Sequence, residues 1–208
     1  MAVIGIDLGG TKISAGIVKN KRLAKLITQK TISKSSKNKI ISQISKIIEE
    51  LFDSSIKAIG IGVPGLVDKK GVLYEAVNIP SLNKSPLKKI LEKKFKVPIF
   101  IENDANCFAL GEKHFGEAKK YKNIVGLIIG TGLGAGIIID EKLYSGANGA
   151  AGEFGQITYL NQDIEYYCSG KFFQKKYRVK GEILFEKALK NNSKAVKIFN
   201  EYGLYSSK

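Results

Sequence analysis

The chain has 208 residues, 44% of them hydrophobic, and a formal net charge of +15. This length suffices for two small lobes with adequate cores, and the composition is typical of a soluble globular protein. The longest uncharged apolar run, residues 124–139, contains five glycines and is too short for a membrane helix, so we expect no membrane partner. Only two of the 34 basic residues are arginines, which disfavours nucleic-acid binding, although the positive field would attract anionic nucleotides.

The first half of the chain predicts an α/β lobe. Apolar runs predict strands at residues 3–8, 13–18 and about 22–31, and helical spacing from Ile40 to Leu51 predicts the first helix. There follow a strand at 57–63, a short extended piece after a turn at 68–71, a helix at 86–95, a strand at 97–101 and a helix at 105–114. Three initial strands followed by alternating helices and strands predict a mixed sheet with helices on its faces.

The second half of the chain predicts a smaller lobe. A lysine-rich linker at residues 116–122 leads into a strand–turn–strand unit at 124–139, and then into helices at 171–177, 181–189 and 193–202. We expect no further buried strand after residue 141. The chain is therefore divided into an N-terminal lobe, residues 1–117, and a shortened C-terminal lobe, residues 118–208.

The strand–turn–strand unit occurs twice in the chain. Residues 10–17 and 130–137 are identical at five of eight positions, and each copy has a Gly-Thr turn between two apolar runs. Glycines allow positive φ and close approach to a ligand, and amide N–H groups with a Thr hydroxyl suit an anion. Two such turns across a cleft would hold a polyphosphate. The alternative is a pair of ordinary hairpin turns, since neither fits the Walker or G-x-G-x-x-G pattern.

Two carboxylates stand at the ends of predicted strands. Asp7 directly precedes the first Gly-Thr turn, where a buried charge is unfavourable unless it meets a cation such as Mg²⁺. Asp104 stands where a strand gives way to a helix, and could accept the proton of a hydroxyl that attacks a phosphate. Asn103 beside it could hydrogen-bond a neighbouring hydroxyl. The alternative for this pair is a helix N-cap.

Five motifs occur in order along the chain: Gly5–Lys12, Gly62–Asp68, Glu102–Asn106, Gly130–Gly134 and Gly146–Gly155. Together they resemble the ROK family of sugar kinases and repressors, most closely its glucokinase-like branch, from residue 3 to about residue 173. The resemblance implies an actin-like, hexokinase-type (ribonuclease H-like) α/β fold of two lobes with mixed sheets and a cleft between them. It also implies ATP-dependent phosphorylation of a hexose hydroxyl, with glucose as the leading substrate.

The resemblance assigns roles to residues of this chain. Asp104 becomes the general base, and Asp7 lies near Mg²⁺, through water. The phosphates of ATP are implied to contact Gly9, Gly10, Thr11, Lys12, Gly130, Thr131, Gly132 and Gly134. The sugar is implied to contact Gly65, Asn78, Asn103, Asp104, Glu153, Gln156 and Glu165.

The chain departs from the family pattern in its metal-binding residues. Gln156 stands where the family usually has a histidine, and residues 158–163 replace its cysteine-rich zinc loop without a cysteine. Glutamine is a poor zinc ligand, so we expect no zinc site. Cys107 and Cys168 lack metal-type spacing, which indicates a reduced, cytoplasmic setting. Cys168 stands where the family has a small residue, which indicates a packing role. His114 is expected to be exposed.

The chain also departs from the family after residue 170. The family has a further strand, a Gly-rich turn for adenosine and a closing helix on the first lobe, and none of these is recognisable here. We therefore expect a homo-oligomer or a completing polypeptide. The first Gly-Thr turn comes so early that neither a signal peptide nor the repressors' DNA-binding domain is expected. The alternative to a hexose kinase is a weakened sugar- or nucleotide-binding remnant with a regulatory role; a filament protein is disfavoured.

Overall fold

The computed structural model describes residues 1–68 and 70–207. The strands of its N-terminal part are β1 (Ala2–Leu8), β2 (Lys12–Lys19), β3 (Arg22–Lys30), β4 (Ile56–Val63), β5 (Gly65–Val67), β6 (Leu73–Ala76) and β7 (Ile99–Asn103). Five of them form a mixed sheet in the order β3-β2-β1-β4-β7, and β5 and β6 form a small separate hairpin. Strand β1 pairs antiparallel with β2 and parallel with β4, and β4 pairs parallel with β7.

One face of the five-stranded sheet carries the core of this lobe. Alternation along β1 buries Ile4, Ile6 and Leu8 on that face. Helices α1 (Lys37–Leu51) and α2 (Leu87–Phe95) contribute the apolar stripes that belong to the same cluster of buried residues. The sheet and its helices confirm the predicted mixed α/β architecture.

The opposite face of the sheet is a groove of about 880 Å³. Gly5 of β1 lies opposite Gly16 of β2 and opposite Gly60 of β4, so three neighbouring strands present no side chain there. The groove is flanked by apolar side chains that are more than half exposed: Leu23, Leu26, Phe100 and Phe115. One face of the sheet is thus packed, and no other part of the described chain, residues 1–68 and 70–207, covers the middle of the opposite face.

Helix α3 (Asp104–His114) lies between this sheet and the second one, of β8 (Ile124–Ile129), β9 (Leu133–Ile139) and β10 (Lys142–Leu143). Glycines allow its close packing: a Cβ at Gly136 would lie 2.7 Å from Ala109 Cβ. The edge strand β8 carries three apolar side chains that are more than half exposed, Val125, Leu127 and Ile129. The helix that begins at Asp104 therefore contacts both lobes.

From residue 158 onward the chain is mainly helical. Its strands there are the two-residue strands β11 (Thr158–Tyr159) and β12 (Gln162–Asp163). Helix α4 (Ile164–Cys168), a π-helix (Phe172–Lys176), α5 (Gly181–Leu189) and α6 (Ser193–Ser206) follow. Phe172 is fully buried, and its ring packs at an angle against the rings of Phe173, Tyr177, Tyr202 and Tyr205. These aromatic rings form the core of the terminal helices.

Several predicted elements differ from the structure in their bounds or in their type of helix. Strand β7 begins at Ile99, because Pro98 has no N–H to give to the ladder. It continues to Asn103, because Glu102 and Asn103 pair with β4. The segment predicted as an α-helix at 171–177 is mostly π-helical, and the last helix continues to Ser206. None of the helices in the described residues combines the length and hydrophobicity that crossing a bilayer requires.

Candidate active site

The corner between β7 and α3 carries the predicted base. The Asn103 side-chain oxygen accepts the N–H groups of Ala105 (2.9 Å) and Asn106 (3.1 Å), which makes Asn103 the N-cap of α3. Its amide nitrogen donates to Gly65 O at 3.2 Å. The cap role that the sequence left open between two residues thus falls mainly on Asn103, and Asp104 is the first residue of the helix.

Asp104 keeps contact with solvent, yet protein atoms surround enough of its carboxyl to change its acidity. Burial raises the pKa of Asp104, the negative charge of Asp7 raises it further, and the N–H of Ala105 opposes both effects. That N–H lies 2.9 Å from Asp104 Oδ1. A carboxylate with a raised pKa is a better proton acceptor, which is the property that a general base requires.

Asp104 faces a cleft of about 260 Å³ that lies against the second Gly-Thr turn. Of the seven residues predicted to contact sugar, six line this cleft: Gly65, Asn78, Asn103, Asp104, Glu153 and Glu165. The same cleft is also lined by Gly130, Thr131, Gly132 and Gly134. The structure therefore brings the predicted base, the predicted sugar residues and the second predicted phosphate loop into one space.

The seventh predicted residue, Gln156, is not among the lining residues of that cleft. Its Nε2 atom donates to Glu153 Oε2 at 3.0 Å. Burial raises the pKa of Glu153, as do the charges of Asp104 and Glu165, while the Gln156 hydrogen bond lowers it. Gln156 thus orients Glu153, and its predicted contact with sugar stays a prediction.

The first Gly-Thr turn, between β1 and β2, is held by short hydrogen bonds. Gly9 N donates to Lys12 O at 3.0 Å, and Thr31 binds the turn twice, with Thr31 Oγ1 to Gly9 O at 2.6 Å and Thr31 N to Thr11 O at 2.9 Å. A Cβ at Gly10 would lie 2.5 Å from Asn78 Cβ. Asn78 thus joins the first turn to the cleft.

The second Gly-Thr turn, between β8 and β9, has a similar internal bond, Gly130 N to Gly132 O at 2.9 Å. Leu133 N donates to Glu165 Oε2 at 2.8 Å, and a Cβ at Gly132 would collide with that carboxylate. Glycine allows positive φ, but the glycines of both turns do not adopt it. Glycine is needed at Gly10 and Gly132 because neighbouring groups approach closely.

Asp7 lines the open groove together with Glu102 and Asp104. The carboxylate is exposed, contrary to the expected burial; partial desolvation raises its pKa and the charge of Lys12 lowers it. Among residues 1–68 and 70–207, no group of three or more His, Cys, Asp or Glu side chains could hold a metal. One facing carboxylate fits Mg²⁺, which keeps most of its waters and binds phosphates.

Three residues of the site region were missed by the sequence analysis. Thr31 holds the first turn, and Lys171 forms an ion pair with Glu165. Lys113 is buried, and its ammonium donates to Tyr121 O (2.9 Å), Lys119 O (3.2 Å) and Glu141 (3.0 Å), which fixes the linker after α3. The partners of these residues are either distant in sequence or are backbone atoms, so no local sequence pattern indicated the contacts. His114 is exposed as expected.

Comparison with known proteins finds relatives with curated names. The chain is 36% identical over 161 residues to a glucokinase of Thermotoga maritima, covering 76% of the chain and 51% of that protein. It is 40% identical over 181 residues to a xylose repressor of Caldicellulosiruptor bescii, covering 80% of the chain and 44% of that protein. The chain thus spans about half the length of these two relatives.

The fold is compared with that of a solved structure. A ROK family glucokinase from Streptomyces griseus, in complex with glucose and AMPPNP, matches with a TM-score of 0.81 and 30% identity, over 99% of this chain and 76% of that one. The hexokinase-type fold expected from the motifs is therefore confirmed, with a shortened second lobe. The sequence model of the ROK family matches residues 3–208. This match covers nearly the whole chain, which belongs to the ROK family.

Proposed function

We propose that the protein transfers the terminal phosphoryl group of ATP to a hydroxyl of a hexose, with glucose converted to glucose 6-phosphate. The observation that carries this proposal is the position of Asp104. It stands at the first residue of α3 and faces one cleft with Glu153, Glu165 and the second Gly-Thr turn. A proton acceptor, polar groups for a polyol and backbone donors for phosphate are the parts that this reaction needs.

Each group of the site has a defined task in this proposal. Asp104 accepts the proton of the attacking hydroxyl, while Asn103 and Glu153 orient the sugar through its other hydroxyls. The amide N–H groups of the Gly-Thr turns bind the phosphates and stabilise charge that develops during transfer. Mg²⁺ bound to ATP would neutralise phosphate charge, and in this proposal Asp7 holds it through water.

The same relatives support the choice of substrate and donor, and the cysteines support the location. The names of the Thermotoga protein and of the Streptomyces structure point to glucose as the sugar, and the AMPPNP in that structure points to ATP as the donor. Cys107 and Cys168 are both free thiols, and ATP is the proposed donor, which together favour a cytoplasmic setting.

The second candidate function is sugar or nucleotide binding without efficient turnover. Similarity to a xylose repressor favours it, as does Gln156 in the place of the family histidine. In this candidate the cleft would still bind a sugar, because Asn103, Glu153 and Glu165 are present. The two candidates differ only in phosphoryl transfer.

We also propose that a further polypeptide covers the apolar rim of the open groove, at Leu23, Leu26, Phe100 and Phe115, and leaves Asp7 accessible to MgATP. A Cβ at Gly5 or Gly60 would meet no atom within 4 Å, which leaves room for a packed segment, and the apolar rim would gain from burial. Relatives about twice as long have the chain length to supply such a segment. A single monomeric species of the 208-residue chain in light scattering agrees with this proposal, whereas a dimer that Leu26→Lys dissociates would show that a second copy covers the groove.

A coupled ADP-release assay over hexoses and N-acetylhexosamines tests the function. Turnover of glucose that requires MgATP, and that is lost in Asp104→Asn, is the expected result. Calorimetric sugar binding without ADP release would support the binding candidate instead. Preference for another hexose would correct the substrate and leave the reaction class standing.

A further inference from the structure

The segment Ser169–Lys171, directly after α4, is hydrogen-bonded to the second Gly-Thr turn. Gly170 N donates to Gly130 O at 2.7 Å, and Ser169 Oγ donates to Thr131 O at 3.2 Å. Ser169 is fully buried, and its hydroxyl also accepts Lys171 N at 3.1 Å. The backbone of the turn therefore depends on these three residues.

The side chain of Lys171 reaches the same turn through Glu165. One carboxylate oxygen of Glu165 accepts Leu133 N–H at 2.8 Å, and the other forms an ion pair with the Lys171 ammonium. The Glu165 side chain is 23% exposed and that of Lys171 is 41% exposed. A charge-assisted hydrogen bond of this kind is stronger than one between neutral groups.

The charge of Lys171 also matters in its surroundings. Glu165 lies in the same cleft as Asp104 and Glu153, so three carboxylates face a space proposed to hold a polyphosphate. The ammonium compensates one of these negative charges from outside the cleft. Without it, Glu165 would repel phosphate and would be held in place only by Leu133 N–H.

The segment is in turn tied to the terminal helices. Tyr202 OH of α6 donates to Cys168 O at 3.0 Å, next to the segment, and Phe172 directly after it is fully buried in the aromatic core. The position of the turn is thus linked to the packing of the C-terminal helices through residues that are adjacent in the chain.

We infer that Lys171 is a positioning residue, which holds Glu165 against Leu133 N–H and so couples the sugar side of the cleft to the second phosphate loop. This inference rests on the proposed function, because it takes the loop to bind phosphate and Glu165 to face sugar. A sugar hydroxyl bound to Glu165 would then strengthen ATP binding, and ATP would strengthen sugar binding by the same factor.

Calorimetry on the full chain tests this coupling. MgATP is titrated with and without saturating glucose into the unchanged protein, Lys171→Met, Lys171→Arg and the control Lys175→Met, an exposed lysine of the π-helix. We expect Lys171→Met to weaken MgATP binding about tenfold and to abolish the effect of glucose. Lys171→Arg, which keeps the charge, and Lys175→Met should behave as the unchanged protein.

A second readout does not depend on ligands. Hydrogen exchange of the Leu133 amide should be slow in the unchanged protein and about tenfold faster in Lys171→Met, with an unchanged melting temperature. Equal exchange and equal coupling in Lys171→Met would overturn the inference while leaving the proposed function intact. If the unchanged protein binds neither MgATP nor glucose, the proposed function fails and the inference fails with it.

Discussion

Asn103 caps the helix of which Asp104 is the first residue, with its side-chain oxygen 2.9 Å from Ala105 N. The two neighbours thus have different roles. Asn103 accepts the free N–H groups at the start of the helix, and Asp104 faces the cleft. This division separates stability from chemistry at adjacent positions. It can be tested by changing each residue in turn.

Asp104→Asn should lower phosphoryl transfer by at least about 100-fold, because an amide keeps the shape of the carboxylate but cannot accept a proton. Its melting temperature at pH 7 should not fall, since burial disfavours the charge that the substitution removes. Asn103→Ala should instead lower stability by about 1 kcal/mol through loss of the cap. Retained turnover with lost stability in Asp104→Asn would identify it as a structural residue.

The pH dependence of turnover should follow the raised pKa of Asp104. The base acts when it is ionised, so kcat/KM should fall as the pH decreases through a pKa above the ordinary aspartate range. In Asp7→Asn the nearby negative charge is gone, and the pKa of Asp104 should move down. Carbon-13 NMR titration of the Asp104 carboxyl measures this shift directly, and an unchanged pKa would show that the two carboxylates do not interact.

Gly10→Ala should disturb the first Gly-Thr turn, because the added Cβ would lie 2.5 Å from Asn78 Cβ. We expect a loss of about 1–3 kcal/mol in the free energy of unfolding, with weaker MgATP binding. Gly5→Ala is the matched control, since a Cβ there meets no atom within 4 Å. Denaturant unfolding of both variants makes the comparison, and equal stabilities would contradict the close approach.

Metal content should follow the ligands that are present. We predict Mg²⁺-dependent nucleotide binding and no structural zinc, because Gln156 and residues 158–163 lack the ligands of the family zinc site. Chelation should therefore weaken ATP binding without lowering the melting temperature. About one tightly held zinc per chain in elemental analysis would disprove the zinc prediction.

The isolated chain should bind the phosphate part of the nucleotide, and its affinity should depend little on the base. ATP, GTP and tripolyphosphate should bind within about threefold of one another, since the amide N–H groups of the Gly-Thr turns serve all three. Titration calorimetry on the monomer measures this. Selectivity for ATP of tenfold or more would instead assign a base site to the cavity of about 440 Å³ that Thr131, Phe199 and Tyr202 line.

Local patterns predicted most of the fold. The alternation in β1 and the helical spacing in α1 placed those elements within a few residues, and the repeated Gly-Thr turns lie between paired strands as expected. Spacing alone could not decide between Asn103 and Asp104 as the cap, because both stand at the same junction. The bond of Glu165 to Leu133 joins residues 32 positions apart, so it depends on packing that no local pattern encodes.

The aromatic core of the terminal helices determines which part of this protein intrinsic fluorescence reports on. The chain has no tryptophan and nine tyrosines, so its ultraviolet fluorescence comes from tyrosine alone. Six of the nine lie in residues 159–208: Tyr159, Tyr166, Tyr167, Tyr177, Tyr202 and Tyr205. Tyrosine emission therefore follows the melting of the C-terminal helices, while the N-terminal sheet, which carries Asp7, can unfold with little change in this signal.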